Sequence, residues 1–165
     1  NEFSDFARMP KPLLKKNNLN NVIKENISLI SKLDKNIKIK LINHLSKEVL
    51  ISFDLEQMNR LFFNLIKNSL ESIQEKSKKD SKIDKNIDIE IRQRRDYINI
   101  NIIDTGVGFK NKTTKELIKP YFTTKEKGTG LGLSIVDKII SDHNGSIQFL
   151  NHKKGAKIQI ILPNK

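Results

Sequence analysis

Apolar residues recur at helical spacing in three stretches of the 165-residue chain and alternate with polar ones between them. Leu19, Val22, Ile23, Ile27, Ile30 and Leu33 mark one face of a helix, and Leu55, Met58, Leu61, Phe62, Leu65, Ile66, Ser69, Leu70 and Ile73 a broader stripe over 55–75. Asp54 stands at the N-cap of that longer helix. A third helix is expected from Leu131 to His143, closed by Asn144–Gly145. Ile37, Ile39 and Leu41 alternate with lysines, the period of a half-buried strand, and Val49 to Phe53 adds a short one. Two hairpins follow the same logic: Ile87, Ile89 and Ile91 against Ile98, Ile100 and Ile102 across Arg94–Arg95–Asp96, and Ile147 to Leu150 against Ile158 to Leu162. Ser77 to Asn86 is polar and aperiodic, so it reads as a solvated connection. The order helix, strands, helix, strands, helix, strands predicts an α+β fold: a two-layer sandwich with helices on one face of a mixed, mostly antiparallel sheet.

Phe3, Phe6 and Met9 also share helical spacing, and Pro10–Lys11–Pro12 ends that pattern. Residues 1–12 therefore read as the end of a helix from a longer protein followed by a linker, and residues 13–165 as one domain. No apolar run approaches the roughly 18 residues of a membrane helix, and residues 1–9 do not look like a signal peptide.

Composition narrows the chemistry. Without cysteine the chain holds no disulfide, zinc-finger or thiol-nucleophile site, and three scattered histidines do not suggest a metal centre. The formal net charge of +12 would suit a polyanionic partner. Yet 26 lysines, 25 isoleucines and 18 asparagines make up 69 of the 165 residues, the bias an A/T-rich coding sequence imposes. Aromatics are 6% and none interleaves with the basic run Lys76 to Lys85, so the stacking platform of a single-strand binder is missing, and no nucleic-acid partner is expected.

Four motifs stand at the ends of these elements. Asn64 and Asn68 project from the same side of the long helix, where two amides suit either a solvated face or a bound ion. Asp104-x-Gly106-x-Gly108 follows a strand; it is either an ordinary turn or a carboxylate facing an exocyclic amine, with glycines letting backbone approach a flat ring. Tyr121–Phe122–Thr123–Thr124–Lys125 combines an aromatic anchor, hydroxyls and an ammonium inside a long polar stretch. Gly128–Thr129–Gly130–Leu131–Gly132–Leu133 runs into a helix, whose first N–H groups attract phosphate. It is neither a Walker loop nor the dinucleotide fingerprint.

In this order and spacing the four motifs resemble the N, G1, F and G2 boxes of the ATP-binding domains of sensor histidine kinases, over nearly the whole chain. Glu2 to Pro10 is similar to the end of the dimerisation helix in nitrogen-regulation sensor kinases. The resemblance implies a Bergerat-type sandwich with an ATP lid at about 109–128, and ATP with Mg²⁺ as cofactors. It implies that Asp104 binds the adenine amine with Gly106 and Gly108 beside it, and that Asn68 holds the metal. Thr123, Thr124, Gly128, Thr129, Gly130, Leu131 and Gly132 would surround the nucleotide, and Lys125 or Lys127 would reach the terminal phosphate. Asn64 stands where related ATPases of the superfamily carry a glutamate base, and an amide cannot take a proton from water. The acceptor is then a histidine, and none of His44, His143 and His152 lies in a phosphoacceptor context; all three read as surface residues. Glu71, one turn beyond Asn68, reads as a surface carboxylate. The implied partners are an upstream dimerisation and phosphoacceptor domain, a response regulator and, in the full-length homodimer, a second copy, a monomer being compatible with the fragment alone. The implied place is the cytoplasmic side of a sensor anchored in the inner membrane. A free-standing ATPase or protein serine kinase of the same superfamily, or a basic nucleic-acid module, are the competing readings.

Overall fold

The structure, a computed structural model, describes residues 8–44, 48–120 and 132–165. The order is β1 (Lys15–Asn18), α1 (Leu19–Ser31), β2 (Lys38–Asn43), β3 (Leu50–Phe53), α2 (Leu55–Lys79), β4 (Asn86–Gln93), β5 (Tyr97–Asp104), α3 (Thr114–Leu117), α4 (Gly132–Asp142), β6 (Ser146–His152) and β7 (Gly155–Pro163). Five strands form one sheet in the order β2-β4-β5-β7-β6, parallel only between β2 and β4.

Register explains why the isoleucines fix this sheet. Ile89, Ile102, Ile158 and Phe149 lie in one cross-strand row, and Ile91, Ile100, Ile160 and Ile147 in the next. All eight are buried with the apolar stripes of α1, α2 and α4. The opposite face carries the row Glu90, Asn101, Gln159 and Gln148. Burial of each large aliphatic side chain contributes about 1.5–3 kcal/mol, so a one-residue slip of any strand would turn this whole core outward. The expected two-layer sandwich is the observed architecture.

A second, two-stranded sheet pairs β1 antiparallel with β3, Lys15 opposite Phe53 and Asn18 opposite Leu50. The β1 sequence, Lys-Lys-Asn-Asn, alternates nothing; backbone pairing makes it a strand, helped by the Asn17 amide donating to the Phe53 carbonyl at 3.1 Å. Two other elements depart from the sequence pattern. Helix α2 continues through Ser77–Lys79, because glutamate and lysine propagate a helix well and three lysines in its last turn suit the negative end of its dipole. The short α3 is set by a reciprocal capping box between Thr113 and Glu116, a signal too brief for periodicity.

The start of α2 meets the end of α4. The Asp54 carboxylate caps α2, Oδ1 accepting from Gln57 N at 3.0 Å, while Oδ2 accepts from Leu13 N at 2.8 Å. Gln57 Nε2 also donates to the Pro10 carbonyl, so residues 10–13 are tied to the start of α2. The Asp54 N–H donates to His143 Nε2 at 3.1 Å, and His143 Nδ1 faces the Ile139 carbonyl at 2.7 Å. These partners assign the imidazole proton to Nδ1. His143 is only 5% exposed, which corrects its reading as a surface residue: packing of α4 against α2 brings an orphan N–H to its ring. His44, by contrast, is exposed and pairs with Glu90 at 3.0 Å, and His152 is exposed in the β6–β7 hairpin. Asn144, at φ 59°, and Gly145 close α4 by a Schellman turn in which Gly145 N donates to the Ile140 carbonyl at 2.9 Å.

Candidate active site

Strand β5 ends at Asp104, whose side chain lies in the core layer at 3% exposure. The residues after it form a loop whose donors are almost all engaged. Thr105 N donates to the Asn86 carbonyl, Gly106 N to Asp104 Oδ1 at 2.8 Å, Val107 N to Ser72 Oγ at 2.9 Å, and Phe109 N to Asn151 Oδ1 at 3.0 Å. Gly106 presses on α2 so closely that a Cβ would collide with the Ser72 hydroxyl, and Gly108 turns the chain at φ +74°, a conformation L side chains rarely adopt. Gly155 approaches from the β6–β7 hairpin, where a Cβ would strike the Asp104 carbonyl. The turn is thus clamped between a helix and a hairpin.

Burial pushes the Asp104 carboxyl above its ordinary value by desolvation; the Gly106 N–H, the Ser69 hydroxyl, the Ala156 N–H and the charge of Lys76 pull the other way. Ser69 lies against it on α2, 2% exposed, near enough to favour the charged carboxyl yet without a well-formed hydrogen bond among the described residues. A buried acceptor and an under-used hydroxyl at the end of a strand are what a planar ligand bearing an amine would complete.

Asn64 and Asn68 are both half-buried on α2, at the margin of the apolar stripe. Asn68 lies one turn, about 6 Å along the axis, before Ser72 and so beside the Asp104 loop. Helix α4 packs against α2 with its C-terminal His143 at the N-cap of α2, so the two run in opposite senses. Equal rise per residue then levels Gly132, the first residue of α4, with about residue 65 of α2. By this count Gly132 lies near the level of Asn64 and Asn68 along α2, and Asn68 is one turn from the Ser72 contact with the Asp104 loop. Among the described residues no three His, Asp or Glu side chains gather to cage a metal, so a cation here would rely on an amide oxygen and on ligand oxygens. Thr123, Thr124, Lys125, Lys127, Gly128, Thr129, Gly130 and Leu131 lie outside the described residues. An open groove of about 510 Å³ lies on the hairpin side of the same loop, lined by Lys76, Gly106, Val107, Gly108, Lys110 and Lys153; neither Asn64 nor Asn68 borders it.

The motifs did not reveal Ser69, Ser72, Asn151 and Gly155 as site residues. Ser72 was within reach, four residues after Asn68 on the same helical face. Asn151 and Gly155 sit in a hairpin distant in sequence and carry no local signal.

The chain belongs to the family of histidine kinase-, DNA gyrase B- and HSP90-like ATPases, whose sequence model matches residues 53–165. The matched residues run from the end of β3 through both asparagines, the Asp104 loop and α4. The chain is 32% identical over 163 residues to the nitrogen regulation protein NtrY of Azorhizobium caulinodans, which covers 98% of this chain and 21% of that protein. It is 35% identical over 118 residues to sporulation kinase A of Bacillus subtilis, 71% of this chain and 18% of that one. It thus spans about a fifth of the length of these relatives. Among solved structures, the catalytic domain of histidine kinase ThkA superposes with a TM-score of 0.78 at 25% identity, covering 92% of this chain and 97% of that one. The fold is that of a histidine kinase ATP-binding catalytic domain.

Proposed function

We propose that this domain binds ATP with Mg²⁺ and presents the γ-phosphoryl group to a histidine in a dimerisation domain preceding it in the chain, from which a response regulator is phosphorylated. The observation that carries the reading is the buried Asp104 carboxyl at the end of β5, held by the Gly106 N–H and faced by the buried Ser69 hydroxyl. That carboxylate would accept the adenine amine, beside the Gly106–Gly108 backbone that Ser72 and the β6–β7 hairpin hold in place. The Asn68 amide oxygen would hold the metal, which supplies charge neutralisation on the phosphates. The opening N–H groups of α4 at Gly132 favour phosphate, and the roles the motifs imply for Thr123, Thr124, Lys125, Gly128, Thr129, Gly130 and Leu131 would be to bind the nucleotide and, for Lys125, to meet charge building on the transferred group.

Asn64 provides no general base, so water is not activated on this helix and phosphoryl transfer waits for the histidine. The domain alone therefore binds nucleotide without turning it over. Dimerisation belongs to the preceding helices, and anchoring, in a protein of the NtrY type, to segments outside this chain; the domain itself works on the cytoplasmic side. No helix among the described residues is long and apolar enough to cross a membrane.

Calorimetric titration with a non-hydrolysable ATP analogue, with and without Mg²⁺, tests this. Saturable binding that Asp104→Asn removes is the expected result. A folded wild-type domain that binds nothing would sink it.

A further inference from the structure

We infer that Ser72 is a positioning residue for base selection: with Asn151 it braces the loop after β5 from opposite sides and so aims the Asp104 carboxylate at the 6-amino group of the purine. The inference rests on the nucleotide reading above and deepens it by assigning selectivity to a residue outside the four motifs.

The brace is visible bond by bond. From α2, Ser72 Oγ accepts from Val107 N at 2.9 Å and meets Gly106 in close contact; from β6, Asn151 Oδ1 accepts from Phe109 N at 3.0 Å. Between these anchors the chain turns at Gly108, at φ +74°. The link to chemistry is Gly106: its N–H holds Asp104 Oδ1 at 2.8 Å, so the direction of the carboxylate follows the position of the loop. Ser72 therefore sets the carboxylate through one intervening residue, without itself touching the base. Its helix also carries Asn68 one turn earlier, which ties the amine end and the phosphate end of the ligand to one rigid element.

Removing the hydroxyl leaves the helix sound, because alanine is a better helix former than serine. It leaves the Val107 N–H without its acceptor, a loss on the scale of one hydrogen bond, which predicts about a three- to tenfold weakening of the contact that depends on loop position. A mere loss of packing would weaken every nucleotide alike. Loss of aim would weaken only nucleotides that carry the amine.

The experiment compares ATP with inosine triphosphate, which has a 6-oxo group in place of the amine, by displacement of a fluorescent nucleotide from wild type, Ser72→Ala and Asp104→Asn. The expected result for Ser72→Ala is ATP affinity reduced about three- to tenfold, inosine triphosphate affinity within twofold of wild type, and a thermal midpoint lowered by no more than about 6 °C. An unchanged preference for ATP, or parallel loss of both nucleotides, overturns the inference. If the wild type binds no ATP, the nucleotide reading falls and takes the inference with it. If Asp104→Asn abolishes the preference and Ser72→Ala does not, only the inference falls.

Discussion

Asp54 and Asp104 each stand at the end of a strand and each accept a backbone N–H two or three residues ahead, yet the fold spends them differently. Both oxygens of Asp54 are consumed by the chain itself, one by Gln57 N and one by Leu13 N, and its own N–H goes to His143. Asp104 is deeper, and its ionised form is disfavoured by burial while a buried hydroxyl beside it stays under-used. The first carboxylate closes a junction between the linker, α2 and α4. The second is kept where burial disfavours its charge more than its N–H and hydroxyl neighbours favour it, as expected of a group kept for a ligand. Substitution should separate the two: one variant loses binding and keeps the fold, the other loses stability and keeps binding.

The largest effect falls on Asp104. Asp104→Asn exchanges a charged acceptor for a neutral one of the same shape, and a hydrogen bond to a charged group contributes about 1.5–3 kcal/mol, so ATP affinity should fall roughly 10- to 100-fold. Its thermal midpoint should hold or rise, since a buried charge disappears. Calorimetry and a melting curve on the same sample read both, and a large fall in the midpoint would make Asp104 a structural residue like Asp54. Next in size is Asn68→Ala. It should reduce Mg-ATP affinity by about tenfold, a single ligand's share, and leave metal-free ATP binding nearly unchanged. Equal losses with and without Mg²⁺ would remove Asn68 from the metal site.

Asp54→Ala should do the reverse. Loss of an N-cap costs about 1–2 kcal/mol, which for a domain of this size lowers the midpoint by roughly 2–8 °C. Nucleotide affinity should stay within twofold. The Leu13 amide should also lose protection from hydrogen exchange, since its acceptor is gone. A protected Leu13 amide in this variant would show that β1–β3 pairing, and not Asp54, holds the linker.

The same pair shows how far sequence pattern reaches. Asp54 was legible as an N-cap because capping is local, read from the residue before an apolar stripe. The isoleucine rows were legible because alternation at period two specifies both strand and face. Asp104 stood out through two glycines, but the reason for them did not: Gly106 answers to Ser72, 34 positions earlier, and the hairpin's Gly155 answers to the Asp104 carbonyl. His143 misled because a histidine before Asn-Gly resembles an exposed helix end, and only helix packing supplies the N–H that makes it interior. β1 was illegible altogether, since Lys-Lys-Asn-Asn pairs through backbone groups common to all residues.

The smallest effect concerns protons, and it gives the two properties of Asp104 opposite signs. Burial raises its native pKa above that of the unfolded chain, so in the interval between those values the folded protein binds more protons than the unfolded one. Stability from this group is then fully present at low pH and diminishes as pH rises through the native value. Recognition of an amine requires the ionised carboxylate, so ATP affinity should decline as pH falls through the same interval. Asp137 is also raised by burial and adds to the stability trend, so the readout is wild type minus Asp104→Asn, which cancels it. Midpoint and affinity differences moving in opposite directions with pH would place a functional charge at Asp104. Differences that move together would mean that the carboxyl serves the fold, and the contrast with Asp54 would collapse.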